Sequence, residues 1–229
     1  MYQLINNPIL LPHQVEILEL FFVSPLGKQY FLTGGTALSA FYLAHRESKD
    51  LDLFTLEDTD LLQTEALIKE ISGSLGAVIE TKVQSNHYRE IYIVNKDEGW
   101  TQRLDLVKEI PKHFGKIVEV EKMRVDSLEN IGSNKVLAVF GRLEIKDYVD
   151  LYVVLTKTKL TFDQLFEMAR EKDTGLFEFY FANIIRAAQN FESFPVMKIA
   201  FDKKEFKNFY ENLSRDLLLK IKPNKLVLI

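Results

Sequence analysis

The sequence contains no cysteine among its 229 residues. This absence excludes disulfide bonds, thiolate metal sites and a cysteine nucleophile, and it fits a protein of a reducing compartment. No run of apolar residues approaches the roughly 20 that a helix needs to cross a bilayer, and residues 1–7 lack the basic start of an export signal. We therefore expect a cytoplasmic protein that does not associate with membranes.

Motifs for several common enzyme classes are also missing. The four histidines show no paired spacing suited to zinc, and the chain lacks the Gly-x-x-x-x-Gly-Lys-Ser/Thr loop of P-loop NTPases. The formal net charge of -4 argues against a protein whose whole surface binds nucleic acid, although it leaves room for a local basic channel. With 47% hydrophobic residues, the chain can build one large domain or two packed lobes.

The most informative segment starts with a glycine turn. The apolar run at residues 30–32 predicts a buried strand, Gly34 and Gly35 a tight turn, and residues 36–43 a helix. Adjacent glycines let backbone N–H groups approach an anion, and a helix N-terminus adds unpaired donors. Gly34, Gly35 and Thr36 are therefore predicted to bind the phosphates of a nucleotide.

Two aspartates follow this turn in the pattern of a half-buried strand. Asp50 and Asp52 share one face, because residues two apart on a strand point the same way, while Leu51 and Leu53 point into the core. The alternation of charged residues and leucine is also typical of an ordinary half-buried strand without a metal site. Together with a phosphate turn one helix earlier, however, the pair predicts a metal site for nucleotidyl transfer.

Transfer of a nucleotide builds charge on the entering and leaving oxygens, and two Mg²⁺ ions held by carboxylates stabilise that charge. A third carboxylate is therefore expected, and Asp105 is the best candidate because Leu104 and Leu106 would fill the core on the opposite face. The alternative is an exposed aspartate on an edge strand. Arg46 and Lys49 precede the aspartates and are predicted to contact phosphate, or else to balance Asp50 as loop cations.

A second group of charged residues lies on a predicted helix. Asp126 and Glu129 form a capping-box pattern, and the helix would run toward Leu155 with a break at Gly141. At about 100° per residue, one stripe would carry the residues Lys135, Val139, Arg142 and Lys146. Lys135 and Arg142 suit triphosphate oxygens, and the alternative is a solvated basic face.

The same projection places Asp147 among apolar positions, where burial of an unpaired carboxylate would be costly. It should therefore have a partner, either a cation, backbone donors or the active-site metal. Asp150 lies at the edge of the stripe and could pair there instead. Position alone leaves the choice between the two aspartates open.

Three blocks of this chain resemble the AbiEii/AbiGii-type toxin nucleotidyltransferases of the polymerase-beta-like superfamily. The blocks are residues 34–38, residues 46–54 and residues 135–151. The resemblance implies that Gly34–Thr36 replaces the superfamily's Gly-Ser turn and that Asp50 and Asp52 hold magnesium. It also implies that Asp105 activates the attacking hydroxyl, that Lys135 contacts substrate, and that an aspartate of the last block, Asp147 before Asp150, is required for activity.

The implied fold is α/β (α+β), a mixed sheet with flanking helices followed by a mainly helical C-terminal lobe. We predict about five strands in residues 1–110, the nucleotidyltransferase domain, and place residues 111–229 in the helical lobe. The boundary would lie at Pro111 to Gly115. Four neighbouring aromatic residues in this lobe are expected to pack as helix core rather than stack on bases, namely Phe177, Phe179, Tyr180 and Phe181.

The resemblance also implies a function. A nucleoside triphosphate would be the substrate, the end of a tRNA the acceptor, Mg²⁺ the cofactor, and a separately encoded antitoxin the partner in a toxin-antitoxin or abortive-infection system. The alternatives are transfer to a small molecule or a protein hydroxyl, and a catalytically inactive nucleotide-binding module.

Overall fold

The computed structural model describes residues 2–4, 6–109 and 112–221. The strands are β1 (Tyr30–Thr33), β2 (Leu51–Thr55), β3 (Val78–Gln84), β4 (Tyr88–Asn95), β5 (Trp100–Lys108), β6 (Val118–Val120) and β7 (Met123–Val125). The α-helices are α1 (Pro12–Val23), α2 (Gly34–Ala37), α3 (Leu61–Ser74), α4 (Leu128–Gly141), α5 (Ile145–Lys157), α6 (Phe162–Lys172), α7 (Glu178–Ile184) and α8 (Lys203–Lys220).

All seven strands of the described residues form one mixed sheet in the order β3-β4-β5-β2-β1-β7-β6. The pairs β2·β5 and β1·β7 are parallel and the others antiparallel. The predicted mixed sheet and its five longer strands are confirmed. The short strands β6 and β7 were not predicted, because three residues are too few to show an alternating pattern.

Alternation of leucine and polar residues orients the centre of the sheet. Leu51 and Leu53 of β2, like Leu104 and Leu106 of β5, are fully buried. The helices α1 and α3 pack on each other, and they also contact the strands β7, β3 and β4. The polar residues between these leucines must therefore share the opposite face.

The glycine turn, Gly34 and Gly35, is the start of α2, so helical structure begins two residues earlier than predicted and is more irregular. A single helix was expected over residues 36–43, whereas the four-residue helix α2 passes directly into a π-helix at Leu38–Leu43. Ala44 ends the π-helix in a left-handed conformation with φ 47°.

The chain divides into two compact units, Met1–Ile131 and Gly132–Ile229. The division falls later than the predicted boundary, because β6 and β7 pair with the sheet through β1. Ile110 and Pro111, where that boundary would begin, lie outside the described residues. The predicted break near Gly141 is present, since α4 ends there and α5 starts at Ile145.

The cap of α4 differs from the predicted one. Ser127 Oγ accepts a hydrogen bond from the Asn130 N–H at 3.0 Å, so Ser127 caps the helix instead of Asp126. The expectation that four aromatic residues at the start of α7 pack as helix core is also wrong for three of them. Phe181 is fully buried, but the neighbouring aromatic side chains are more than half exposed, namely Phe177, Phe179 and Tyr180.

Candidate active site

Four residues form a row across the middle of the sheet. Asp52 of β2 is the Cα partner of Thr33 on β1 and of Asp105 on β5, and Asp105 is in turn the partner of Glu90 on β4. Partners in a ladder point to the same face, and neighbouring strands lie about 4.8 Å apart. The two predicted metal-binding aspartates of the strands are therefore direct neighbours on the face opposite the buried leucines.

Asp50 immediately precedes β2, and its backbone is held from the glycine turn. The Thr36 hydroxyl donates to the carbonyl oxygen of Asp50 and lies 2.8 Å from Ser48 Oγ. The preceding carbonyl, that of Lys49, accepts hydrogen bonds from the Gln14 and Gln102 side-chain amides at 2.9 and 2.6 Å. Thr36 thus couples the turn to the aspartate strand, whereas the Lys49 side chain is exposed.

The glycine turn touches two predicted site residues. Gly34 has φ 70°, and a Cβ added there would overlap the Asp52 carboxylate, with Cγ only 2.8 Å away. A Cβ at Gly35 would meet the guanidinium of Arg46, a side chain that is itself almost fully buried. Both glycines therefore leave space that a larger residue would take from Asp52 or Arg46.

Asp105 is held by neighbours on its own face. Arg103 Nη2 lies 3.0 Å from Asp105 Oδ2 and Arg103 Nε 3.2 Å from Oδ1, while the Tyr88 hydroxyl lies 3.2 Å from Oδ1. Burial raises the pKa of Asp105, and this effect outweighs the opposing hydrogen bonds and charge of Arg103. Burial and the charge of Asp105 raise the pKa of Tyr88 to about 12, so its hydroxyl keeps its proton at neutral pH.

The donor set can be compared with what magnesium needs. Asp50, Asp52 and Asp105 supply only carboxylate oxygens, which are the ligands that Mg²⁺ prefers, and the ladder places the last two side by side. Across the parts of the chain that the structure describes, no three acidic or imidazole side chains are already gathered as a metal-binding group. The residue types fit the ion, and Asp52 and Asp105 are neighbours on one face, where Asp105 is engaged by Arg103.

A buried hydrogen-bond network centred on Asp126 includes Thr33 and was not predicted. Asp126 is fully buried; its Oδ2 accepts from the Thr33 hydroxyl at 2.5 Å and from Asn130 Nδ2 at 2.9 Å. Its Oδ1 accepts from the Ser127 N–H at 2.7 Å and lies 2.8 Å from His113 Nε2. This network connects the end of β1, next to the glycine turn, to the start of α4. These partners lie up to 93 residues away in sequence, so no local pattern points to them.

The second unit holds the other predicted residues in a buried ion-pair cluster. Lys135 Nζ lies 2.8 Å from Asp147 Oδ1 and 2.7 Å from Asp150 Oδ2, and both aspartates are fully buried. Arg142 Nε lies 2.7 Å from Asp147 Oδ2, and the Arg142 side chain is 55% exposed. Burial raises the pKa of Asp147, but the charges and hydrogen bonds of Lys135 and Arg142 outweigh it and lower the pKa overall.

This cluster corrects the predicted cationic stripe. Because α4 ends at Gly141, Lys135 and Lys146 lie on different helices, and Arg142 lies in the connection between them. Lys135 is almost buried rather than part of a solvated face. The expectation that Asp147 has a partner is confirmed, and of the alternatives left open it is a cation, since both Lys135 and Arg142 pair with it.

Comparison with solved structures identifies the fold. The chain is similar to the nucleotidyltransferase toxin MenT4 from Mycobacterium tuberculosis, with a TM-score of 0.62 and 12% identity over 90% of this chain and 82% of that one. It is also similar to JHP933 from Helicobacter pylori, with a TM-score of 0.53 and 19% identity over 90% and 88% of the two chains. The chain thus shares its fold with both of these proteins.

The family follows from the sequence itself. Residues 16–220 match the family described as "Nucleotidyl transferase AbiEii toxin, Type IV TA system", so the chain belongs to this family of toxin nucleotidyltransferases and is a nucleotidyltransferase. A search of curated proteins finds no match. Within the described residues, none of the helices combines the length and apolar character needed to span a bilayer.

Proposed function

We propose that the chain transfers a nucleoside monophosphate from a nucleoside triphosphate to the end of an RNA, with tRNA as the acceptor and Mg²⁺ as the cofactor. One observation carries the proposal. Asp52 is the Cα partner of Asp105 on the neighbouring strand, and its carboxylate lies close to Gly34 of the glycine turn. A triphosphate bound at Gly34–Thr36 would therefore lie beside both carboxylates.

The residues of the first unit have distinct roles in this proposal. Asp50, Asp52 and Asp105 hold the metal ions, and Gly34, Gly35 and Thr36 bind phosphate through backbone N–H groups and a hydroxyl. Arg46 lies against Gly35, where its guanidinium can hold a phosphate through two parallel hydrogen bonds. Lys49 is exposed and is assigned the outer phosphates.

The reaction balances without a further reactant. A ribose hydroxyl oxygen attacks the α-phosphorus, its proton passes to the Asp105 carboxylate, and the bond from the α-phosphorus to the bridging oxygen breaks to release pyrophosphate. When bound, two Mg²⁺ ions supply charge stabilisation at the entering and leaving oxygens. Preorganisation of Asp52 beside the glycine turn keeps its carboxylate ready for the displacement.

In the second unit, Asp147 is proposed as the required aspartate, because it holds Lys135 and Arg142 in place. Asp150 shares Lys135, which fixes the lysine head group from a second side. Family membership adds a separately encoded antitoxin as the proposed partner.

Label transfer identifies the acceptor. The purified chain is incubated with each α-labelled nucleoside triphosphate, Mg²⁺ and total RNA, and the products are separated into RNA, protein and small molecules. We expect RNase-sensitive label at the size of tRNA, and no label when EDTA replaces Mg²⁺. Label on protein or on a small molecule would show that this class, and not RNA, is the acceptor. The absence of label with all four triphosphates would refute nucleotidyl transfer.

A further inference from the structure

Arg103 and Tyr88 are shared between two carboxylates. Arg103 Nη2 lies 3.0 Å from Asp105 Oδ2 and 3.2 Å from Glu90 Oε2. The Tyr88 hydroxyl lies 3.2 Å from Asp105 Oδ1 and also 3.2 Å from Glu90 Oε2. Asp105 and Glu90 are Cα partners on β5 and β4, so this cluster continues the row of site residues outward from Asp52.

The two donors cannot satisfy both carboxylates fully at once. A tyrosine hydroxyl carries one proton, so Tyr88 donates to Asp105 or to Glu90 but not to both. The single guanidinium of Arg103 likewise balances two negative charges, which leaves the set of Arg103, Asp105 and Glu90 with a net charge of about -1. The same donors can therefore serve either carboxylate with small movements.

A divalent cation bound to Asp105 would make Glu90 the better partner for Arg103. Mg²⁺ binds a carboxylate oxygen at about 2.0 to 2.1 Å, whereas both Asp105 oxygens already accept hydrogen bonds from Arg103. The ion would also repel the guanidinium. Glu90 is already within hydrogen-bond distance of Arg103 Nη2, so it can take over the cation without a large displacement.

We propose that Arg103 and Glu90 are positioning residues for Asp105: Arg103 holds its carboxylate in the metal-free protein and shifts onto Glu90 as a divalent cation binds. Glu90 therefore acts through Arg103, by giving the displaced guanidinium a partner. This inference rests on the proposed function, because it takes Asp105 as a metal ligand.

The two residues then have opposite effects on metal binding. Arg103→Gln removes the competing cation, so the ion should bind more tightly. Glu90→Gln leaves Arg103 with Asp105 as its remaining carboxylate in the cluster, so the ion should bind more weakly. With pairwise couplings of ordinary size, each shift in the dissociation constant should be about fivefold. In the double variant the effect of Glu90→Gln should largely disappear.

Mn²⁺ binding without any nucleotide measures these shifts, since the electron paramagnetic resonance signal of free Mn²⁺ is lost on binding. The site-specific part is the binding that is absent from Asp52→Asn. The control pair is Lys82→Gln and Glu80→Gln, which alters an exposed ion pair of 2.7 Å in the same sheet and should change nothing. Circular dichroism and thermal unfolding check that every variant is folded.

Opposite shifts that cease to add in the double variant support the inference. Unchanged affinity in both single variants, or a shift of both in one direction, would overturn it while leaving the metal site in place. If no site-specific Mn²⁺ binds to the wild type or to Arg103→Gln at millimolar concentrations, the proposed metal site fails and the inference fails with it.

Discussion

Replacement of Gly34 by alanine should impair transfer far more than folding. Gly34 has φ 70°, and an added Cβ would overlap the Asp52 carboxylate. Gly99 is a matched control, because it has φ 72° and no heavy atom lies within 4 Å of an added Cβ. Both variants therefore impose the same backbone conformation on alanine, and only one of them crowds the site.

The magnitudes separate the two effects. A left-handed conformation costs an L-residue about 1 to 2 kcal/mol, partly offset by about 0.4 to 1 kcal/mol because alanine reduces the entropy of the unfolded chain. Gly99→Ala should thus lower the free energy of unfolding by about 1 kcal/mol. In Gly34→Ala the Asp52 Cγ must also move from 2.8 Å to the 3.4 Å of ordinary contact. Misplacement of a reacting group by about 1 Å costs roughly 100-fold in rate.

Urea unfolding and transfer of an α-labelled triphosphate, measured on both variants, test this reasoning. Gly34→Ala should remain folded and transfer label about 100-fold more slowly than Gly99→Ala. A tenfold change in rate corresponds to about 1.36 kcal/mol of activation free energy. If the two variants transfer label at rates within about threefold of each other, the close approach of Gly34 to Asp52 does not support catalysis.

Three further predictions concern the supports of the site and the second unit. Asp126→Ala removes a buried acceptor of several hydrogen bonds and should lower the free energy of unfolding by about 3 kcal/mol. The control, Glu70→Ala, changes an exposed residue and should lower it by less than about 0.5 kcal/mol. Urea unfolding measures both. The folded pKa of Asp147 is lowered, so its contribution to stability is present above the unfolded value of 3.8 and is lost as pH falls through the folded value. The stability difference between wild type and Asp147→Asn should therefore shrink below about pH 4; a difference independent of pH would contradict the ion pairing. Phe181→Ala should cost about 3 to 5 kcal/mol and Phe179→Ala less than about 0.5 kcal/mol, and equal thermal shifts would contradict the assignment of only the first to the core.

Local patterns predicted the centre of the molecule well. The alternation around Asp52 and Asp105 shows which face each side chain takes, and it therefore predicts a common face for both aspartates without knowledge of their register. The glycine pair predicted a tight turn after β1, and Gly34, which is the first residue of α2, has a positive φ that few other residues adopt. These features depend on neighbours within a few residues.

Features that depend on distant partners were not predictable in the same way. The role of Asp126 depends on Thr33 and His113, and a capping pattern was the nearest local signal. The sharing of Arg103 depends on Glu90, whose position opposite Asp105 follows from the register of the hairpin. Tyr88 and Glu90 lie two residues apart on β4 and therefore share a face, but this spacing does not identify the partner across the sheet.

The central claim is that Asp52 is a metal-binding residue beside the phosphate turn, and a comparison of Asp52→Asn with Asp58→Asn tests it most directly. Asp58 is a fully exposed aspartate six positions later, so its replacement controls for the loss of one carboxylate. Label transfer should fall by about 1,000-fold in Asp52→Asn, because metal stabilisation of the transferred phosphate supplies several kcal/mol, and it should be unchanged in Asp58→Asn. Full transfer by a folded Asp52→Asn protein would contradict the assignment of this site.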